Sequence, residues 1–254
     1  MAKMKVSIIT VTYNNAATLA DTIESVYQQT YQDIEYWIID GASNDSTLDI
    51  IHENVERFQG RLHYISEPDK GIFDAMNKGI ERCHGDIIGT LNADDYFTSD
   101  NIIEEVVKTF SKKDVDVVYG DIHFIHADSP DKTVRYYSSA FFHPFWLRFG
   151  FMPAHPSLYV RREVYQEVGL YSLDFTIASD FDMMIRIFRL RKSRYAYLRK
   201  DFVTMRTGGI STRDFHNRLV ITKEQAAACR KNGIYTNQLL ISLKYLRKLL
   251  ELRI

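Results

Sequence analysis

The first hundred residues alternate, with little slack, between short β-rich runs and longer segments whose apolar residues recur at helical spacing, and few folds accept that order. Val6–Val11 is a continuous run of the kind buried on both faces of a parallel sheet, and Ala17–Gln29 follows with Leu19, Ile23 and Val26 on one helical face. Glu35–Asp40 is a second run. Ser43 or Asn44 caps the helix after it, which carries Leu48, Ile51, Val55 and Phe58. Leu62–Ser66 reads as a third strand, Ile72–Cys83 as a helix with Met76, Ile80 and Cys83 inward, and Ile87–Leu91 as a fourth strand running into Asn92-Ala93-Asp94-Asp95. Such alternation predicts an α/β fold with a mostly parallel sheet flanked by helices and joined by right-handed crossovers. Ligands bind such sheets beyond the carboxyl ends of the strands, where Val11–Asn15, Asp40–Asp45 and Asn92–Asp95 fall.

After a helix over Ser99–Ser111 the pattern changes. Val115–Tyr119, Asp121–Ala127 and Thr133–Tyr137 read as strands, the last two joined by the turn Asp128-Ser129-Pro130-Asp131. Phe141–Phe151 holds six aromatic residues and serves either as a wall for a ring-shaped ligand or as plain core. With 254 residues, 45% hydrophobic and 26% charged, the chain fits one large domain and excludes disorder, collagen and coiled coil. No apolar run reaches the roughly 20 residues that span a bilayer, and Met1 to Tyr13 lacks a secretory h-region, so a cytosolic location is expected. Cys83 and Cys229 lie far apart without ligand spacing and read as buried thiols.

Charge is divided unevenly. Residues 1–185 hold 15 Lys and Arg against 29 Asp and Glu, whereas 186–254 hold 17 against 4. A basic end of this kind meets an anionic surface or is neutralised by the acidic half. Gln238–Ile254 places Leu239, Leu240, Leu243, Leu246, Leu249, Leu250 and Ile254 at helical spacing beside Lys244, Arg247, Lys248 and Arg253. It reads as a basic amphipathic helix suited to a membrane surface, and core packing or dimerisation would use the same stripe. No basic-aromatic stacking array supports nucleic-acid binding.

Two adjacent carboxylates directly after a buried strand, Asp94 and Asp95, are costly unless they face a cation or hydroxyls, and oxygen ligands at a strand end suit Mg²⁺ or Mn²⁺. The same pair would also start a helix. Thr10-Val11-Thr12-Tyr13-Asn14-Asn15 offers hydroxyls, amides and a ring for stacking on a nucleobase. A dinucleotide fingerprint is missing, since no G-x-G-x-x-G follows the first strand.

Asp40-Gly41-Ala42-Ser43-Asn44-Asp45, the run Glu67-Pro68-Asp69-Lys70-Gly71-Ile72-Phe73-Asp74-Ala75-Met76-Asn77-Lys78-Gly79, and Leu91-Asn92-Ala93-Asp94-Asp95 stand in order on the expected elements. In these motifs the first 100 residues resemble family 2 glycosyltransferases of the GT-A fold, and most of all the bacterial enzymes that build O-antigen, capsule and colanic-acid repeat units. The resemblance implies that Asp95 binds a Mn²⁺ or Mg²⁺ ion. It implies too that Val11, Thr12, Tyr13, Asp40, Lys70, Asp74, Asn77, Asn92, Ala93 and Asp94 line the donor site, Tyr13 and Asp40 flanking base and ribose. Many members carry a second acid after the second strand, which reads the base; this chain has Gly41 there. Ala178-Ser179-Asp180-Phe181-Asp182 is similar to the family's acceptor-base motif, which makes Asp180 the base, with Asp182 facing elsewhere on the helix and Ser179 or Asp180 also able to cap it. His155 matches a site near the acceptor, and Gly208-Gly209-Ile210-Ser211 a loop over the donor diphosphate, with Ser211, Arg206 and Arg213 as acceptor or phosphate contacts.

The expected protein is thus an inverting, metal-dependent glycosyltransferase. A GT-A domain covers residues 1–213, with the nucleotide-sugar half at 1–100 and the acceptor half at 101–213, and a C-terminal helical extension covers 214–254. Its expected partners are a nucleotide-sugar donor, with uridine as the base, a lipid-diphosphate-linked saccharide acceptor and the cytoplasmic face of the inner membrane, with an oligomer possible. A sugar nucleotidyltransferase of the same fold would need a glycine- and basic-rich loop after the first strand, which Val11–Asn15 is not. A non-catalytic assembly subunit would have no use for Asp94, Asp95 and Asp180.

Overall fold

The computed structural model describes residues 4–126, 129–207 and 215–245. Its first half is β1 (Val6–Thr12), α1 (Leu19–Tyr27), β2 (Ile34–Asp40), α2 (Thr47–Val55), β3 (Leu62–Ser66), α3 (Ile72–Arg82), β4 (Ile87–Thr90), β5 (Tyr96–Phe97) and α4 (Ile102–Lys112). The second half is β6 (Val117–His126), β7 (Ser129–Tyr137), β8 (Leu158–Arg161), α5 (Arg162–Val168), α6 (Ser179–Ile185), β9 (Tyr195–Arg206), α7 (Phe215–Lys231) and α8 (Gln238–Ser242). These strands form one sheet in the order β3-β2-β1-β4-β8-β6-β9-β5, with β7 on β6. β3, β2, β1 and β4 are parallel, as is β6 with β9, while β8 runs antiparallel between β4 and β6.

Helices cover both faces, which is why β1 and β4 are buried at nearly every position. α1, α2 and α4 bury Leu19, Ile23, Ile51, Val106 and Phe110 on one face. The other face takes α3, α5, α6 and α7 through Met76, Ile80, Val164, Phe181 and Ala228. Cys83 and Cys229 are free and buried among them, and burial pushes both thiols up to about 12.

Three expectations change. Val115–Tyr119 and Asp121–Ala127 are not two strands: β6 runs through both, with a register shift against β9 around Gly120. Residue 120 lies against the Phe202 ring, where a Cβ would come within 2.5 Å of Cδ1, so the strand bends without ending. α2 begins at Thr47 and not beside Ser43 or Asn44, because both of those residues are tied into the loops described below. In and just after α8 the stripe divides: Ile241 and Lys244 are buried and Leu240 is half-buried, whereas Leu239 is 75% and Leu243 40% exposed. The rest of the stripe, residues 246–254, lies outside the described residues.

Candidate active site

Register sets Thr12, Asp40 and Ser66 side by side at the carboxyl ends of β1, β2 and β3. The Asp40 carboxylate is wholly buried and accepts from Ser43 N at 3.0 Å, Ser43 Oγ at 2.5 Å and Ser66 Oγ at 2.6 Å. It therefore organises the loop. Asn14 and Ala42 both take positive φ, 53° and 62°, strained backbone of the kind that collects at functional sites. The two loops are sewn together by Asn14 N to Ser43 Oγ, Asn44 N to Asn14 Oδ1 and Asn15 N to Thr47 Oγ1. Above them Val11 is half-buried, the Tyr13 ring is 60% exposed, and buried Thr12 Oγ1 has no hydrogen-bond partner among the described residues.

Asp69, inside the Glu67–Gly79 motif, carries no signal of its own in the sequence. Its Oδ2 comes within 2.6 Å of where a Cβ on Gly41 would stand, and the same position is 3.5 Å from the Tyr13 ring. A carboxylate thus occupies the space beside Tyr13 that a second acid after β2 would fill. A side chain at 41 would have to push that carboxylate aside. Asp69 Oδ1 accepts Gly71 N at 2.9 Å, Asp74 Oδ2 accepts Lys70 N at 2.9 Å, and Lys78 Nζ reaches Pro68 O at 2.8 Å, so this loop is fixed to α3. The Lys70 side chain is exposed.

The turn after β4 is held by its carbonyls. Thr18 Oγ1 donates to Ala93 O at 3.0 Å, Thr22 Oγ1 to Asp95 O at 2.7 Å and Arg206 Nη1 to Asp94 O at 2.7 Å. Asp95 is fully buried. Asn92 Nδ2 donates to its Oδ2 at 2.8 Å, while Oδ1 has no partner among the described residues. Burial, and then the charge of Asp94, hold its carboxyl well above the usual carboxylate range; burial raises Asp94 as well. A buried oxygen without a proton donor, next to a second carboxylate, fits an oxygen-seeking divalent cation that keeps other positions for water and phosphate. No group of three His, Cys, Asp or Glu gathers anywhere among the described residues, so two carboxylates are the available protein ligands. Arg206 stands behind this turn: it pairs with Asp21 and lies 5.1 Å over the Tyr96 ring, an arrangement that supports Asp94 and leaves its guanidinium occupied.

Asn77 also proves to be a fastener. Its amide donates to Tyr171 O at 2.9 Å and accepts from Tyr171 N at 2.8 Å, tying α3 to the segment ahead of α6. The buried His155 ring bonds the Tyr171 hydroxyl at 2.7 Å, and burial lowers its pKa to about 4, which keeps it neutral. α6 starts at Ser179 with Ala178 at its N-cap, and Ser179 Oγ donates to Ser172 O at 2.7 Å, away from the helix amides. Asp180 Oδ1 accepts Phe181 N at 2.6 Å, and burial lifts the carboxyl to about 6, with Lys244 drawing it down and Glu224 pushing it up. Asp182 faces the other way. It is buried, pairs with Arg186 Nε at 2.9 Å and accepts Asn232 Nδ2 at 2.7 Å. Ser211 and Arg213, with the glycine loop, lie outside the described residues. A polar hollow of about 500 Å³ lined by Tyr27, Gln29, Thr30, Arg57 and Arg61 sits at the opposite ends of the strands and shares no residue with this site.

A sheet of this order, with a carboxylate turn at the end of β4, is that of a GT-A fold. A profile described as Glycosyl transferase family 2 matches residues 7–169, and the chain belongs to that family; it is a glycosyltransferase. A "PGL/p-HBAD biosynthesis glycosyltransferase" of Mycobacterium bovis (strain BCG / Pasteur 1173P2) is 30% identical over 189 residues, 74% of this chain and 71% of that protein. Among solved structures, S. aureus TarS 1-349 in complex with UDP-GlcNAc superposes with a TM-score of 0.70 at 14% identity, covering 96% of this chain and 72% of that one. The chain spans 43% of the longer TarS structure. Mannosyltransferase PcManGT from Pyrobaculum calidifontis in complex with GDP-Man and Mn2+ has a TM-score of 0.63 at 16% identity, covering 98% and 81%.

Proposed function

We propose that this glycosyltransferase moves one sugar, with inversion at the anomeric carbon, from a UDP-sugar to a saccharide carried on a lipid diphosphate at the cytoplasmic face of the inner membrane, in bacterial surface polysaccharide synthesis. The observation that carries the reading is Asp180. It is a carboxyl raised by burial to about 6, in the first turn of α6, so near pH 7 it is charged yet still a useful base. In the reaction the acceptor hydroxyl gives its proton to the Asp180 carboxylate, its oxygen bonds to the anomeric carbon, and the bond from that carbon to the diphosphate breaks on the opposite face.

Asp95 and Asp94 would hold Mn²⁺ or Mg²⁺, which when bound neutralises charge on the leaving diphosphate. The protein's own part is to fix that turn through Thr18, Thr22 and Arg206. Tyr13 stacks on the base, and Asp69, beside it, accepts the N3–H of uracil; this is how a chain with Gly41 keeps a base-reading acid. The PGL/p-HBAD relative and the UDP-GlcNAc complex of TarS support the transfer and donor class.

Thermal shift with UDP, GDP and dTDP sugars in the presence of Mn²⁺ tests the donor, because a ligand of the folded state raises the melting temperature. UDP-sugars are expected to give the largest shift, and Asp69→Ala to remove the preference. A larger shift with GDP-sugars overturns the uridine assignment.

A further inference from the structure

Among the described residues twelve large apolar side chains are exposed, and seven of them fall on one corner: Phe141, Phe145 and Trp146 before β8, and Leu219, Tyr235, Leu239 and Leu243 on and around α7 and α8. These segments are pinned together. Thr236 Oγ1 donates to Arg148 O at 2.5 Å, Cys229 Sγ lies 3.8 Å from Leu147 O, and Gly150, at φ +75°, packs so closely that a Cβ would meet Gln225, Lys244 and Ile241 at 3.0–3.2 Å. Phe145, Trp146 and Phe149 pack ring against ring at 5.3–5.9 Å, and the Arg148 guanidinium lies 4.5 Å over Phe145. The corner is therefore a shaped surface and not a frayed edge.

Its charge has one sign. The segments that form it among the described residues, 141–151 and 225–245, hold no Asp or Glu and four cations, Arg148, Arg230, Lys231 and Lys244, of which Lys231 pairs with Asp174; Glu224 beside them is spent on three main-chain amides. Exposed aromatic and leucine side chains on a carboxylate-free, basic background suit the interface of an anionic bilayer, where rings sit at headgroup depth and cations meet lipid phosphates. A two-fold contact between copies would set this positive surface against itself, which disfavours a second chain as the occupant. The corner also adjoins the acceptor side: just after α8 Lys244 turns inward, where its charge acts on Asp180, while Leu239 and Leu243 are exposed.

We infer that the surface formed by Phe141, Phe145, Trp146, Tyr235, Leu239 and Leu243 rests on anionic lipid and presents the acceptor side of the site to lipid-linked saccharides. The inference deepens the proposed function and rests on its lipid-linked acceptor. It departs from the simpler expectation of a membrane helix with Lys244 on its wet face, since Lys244 is buried.

The test uses the full chain with vesicles of phosphatidylcholine and phosphatidylglycerol at 3:1, against pure phosphatidylcholine. A Trp37→Phe background leaves Trp146 as the single tryptophan. Its emission should shift to the blue on the anionic vesicles, and flotation should show binding that weakens in 0.5 M salt. Phe141→Ser with Leu239→Ser, both about three-quarters exposed, should weaken binding at least tenfold while far-UV dichroism, UDP-sugar binding and transfer to a soluble acceptor stay unchanged. Equal binding by the double variant, no Trp146 shift, or a dimer in sedimentation velocity that the double variant abolishes overturns the inference. Loss of donor binding in the parent protein would instead count against the proposed transfer and leave the vesicle result standing.

Discussion

Glu224 Oε2 accepts the main-chain N–H of Ala178 at 2.9 Å, and with it the acid of α7 fixes the residue immediately before the helix that carries Asp180. The same carboxylate takes Ile177 N and Thr176 N, each at 2.9 Å, so three consecutive amides end on one side chain. Lys231 to Asp174 and Asn232 to Asp182 extend the clamp along the same segment. The segment that looks like an appendage in the sequence thus fixes the chain that leads into Asp180.

Replacing Glu224 with Gln removes the charge and turns an amide donor toward amide donors. Hydrogen bonds to a charged group are worth about 1.5–3 kcal/mol, so a lower melting temperature is expected, with kcat reduced at least tenfold and the donor KM nearly unchanged. Steady-state kinetics at varied donor check this. An equal loss in donor affinity would mean that the clamp supports the whole fold and not Asp180.

Asp182 belongs to stability. Asp182→Ala leaves Arg186 without its buried partner and should destabilise by about 3–5 kcal/mol, read from urea unfolding. Activity per folded molecule should stay within a few fold.

Asp95→Asn separates charge from shape. The folded protein raises the Asp95 carboxyl, so that acid favours folding at low pH and opposes it as the pH climbs past its unfolded value near 4. The Asn variant should therefore melt higher than the parent at pH 7 and match it near pH 3. It should also lose Mn²⁺-dependent UDP binding by calorimetry, as the parent should after chelation. Undiminished Mn²⁺-dependent binding by the variant would remove Asp95 from the metal site.

Periodicity made the nucleotide half legible: β1 to β4 and their helices fall within a few residues of where their apolar spacing puts them, because each buries its face against its sequence neighbours. β8, β9 and β5 carry no comparable signal, since β8 and β5 are short and all three pair with strands far away in the chain. The site divides likewise. Asp94, Asp95 and Asp180 stand out as acids at element ends, but nothing local tells that Asp40 and Asn77 spend their polar atoms on the fold, or that Asp69 lies over Gly41. Those relations exist only once the loops meet. Phe141–Phe151 misleads for a physical reason, because an aromatic run gives no period from which to decide whether its rings point in or out.

Asp180→Asn tests the central claim most directly. An amide cannot take the acceptor proton, so the transfer rate should fall about 10²- to 10⁴-fold, with UDP-sugar affinity unchanged. In the parent, kcat should rise with pH through about 6, where the half-buried carboxyl loses its proton, and that limb should vanish in the variant. The decisive measurement is the kcat–pH profile of both proteins at saturating donor. A limb near pH 6 lost together with at least a hundredfold in rate is the predicted result; near-parental turnover by Asp180→Asn with the limb intact would contradict the assignment of Asp180 as the base.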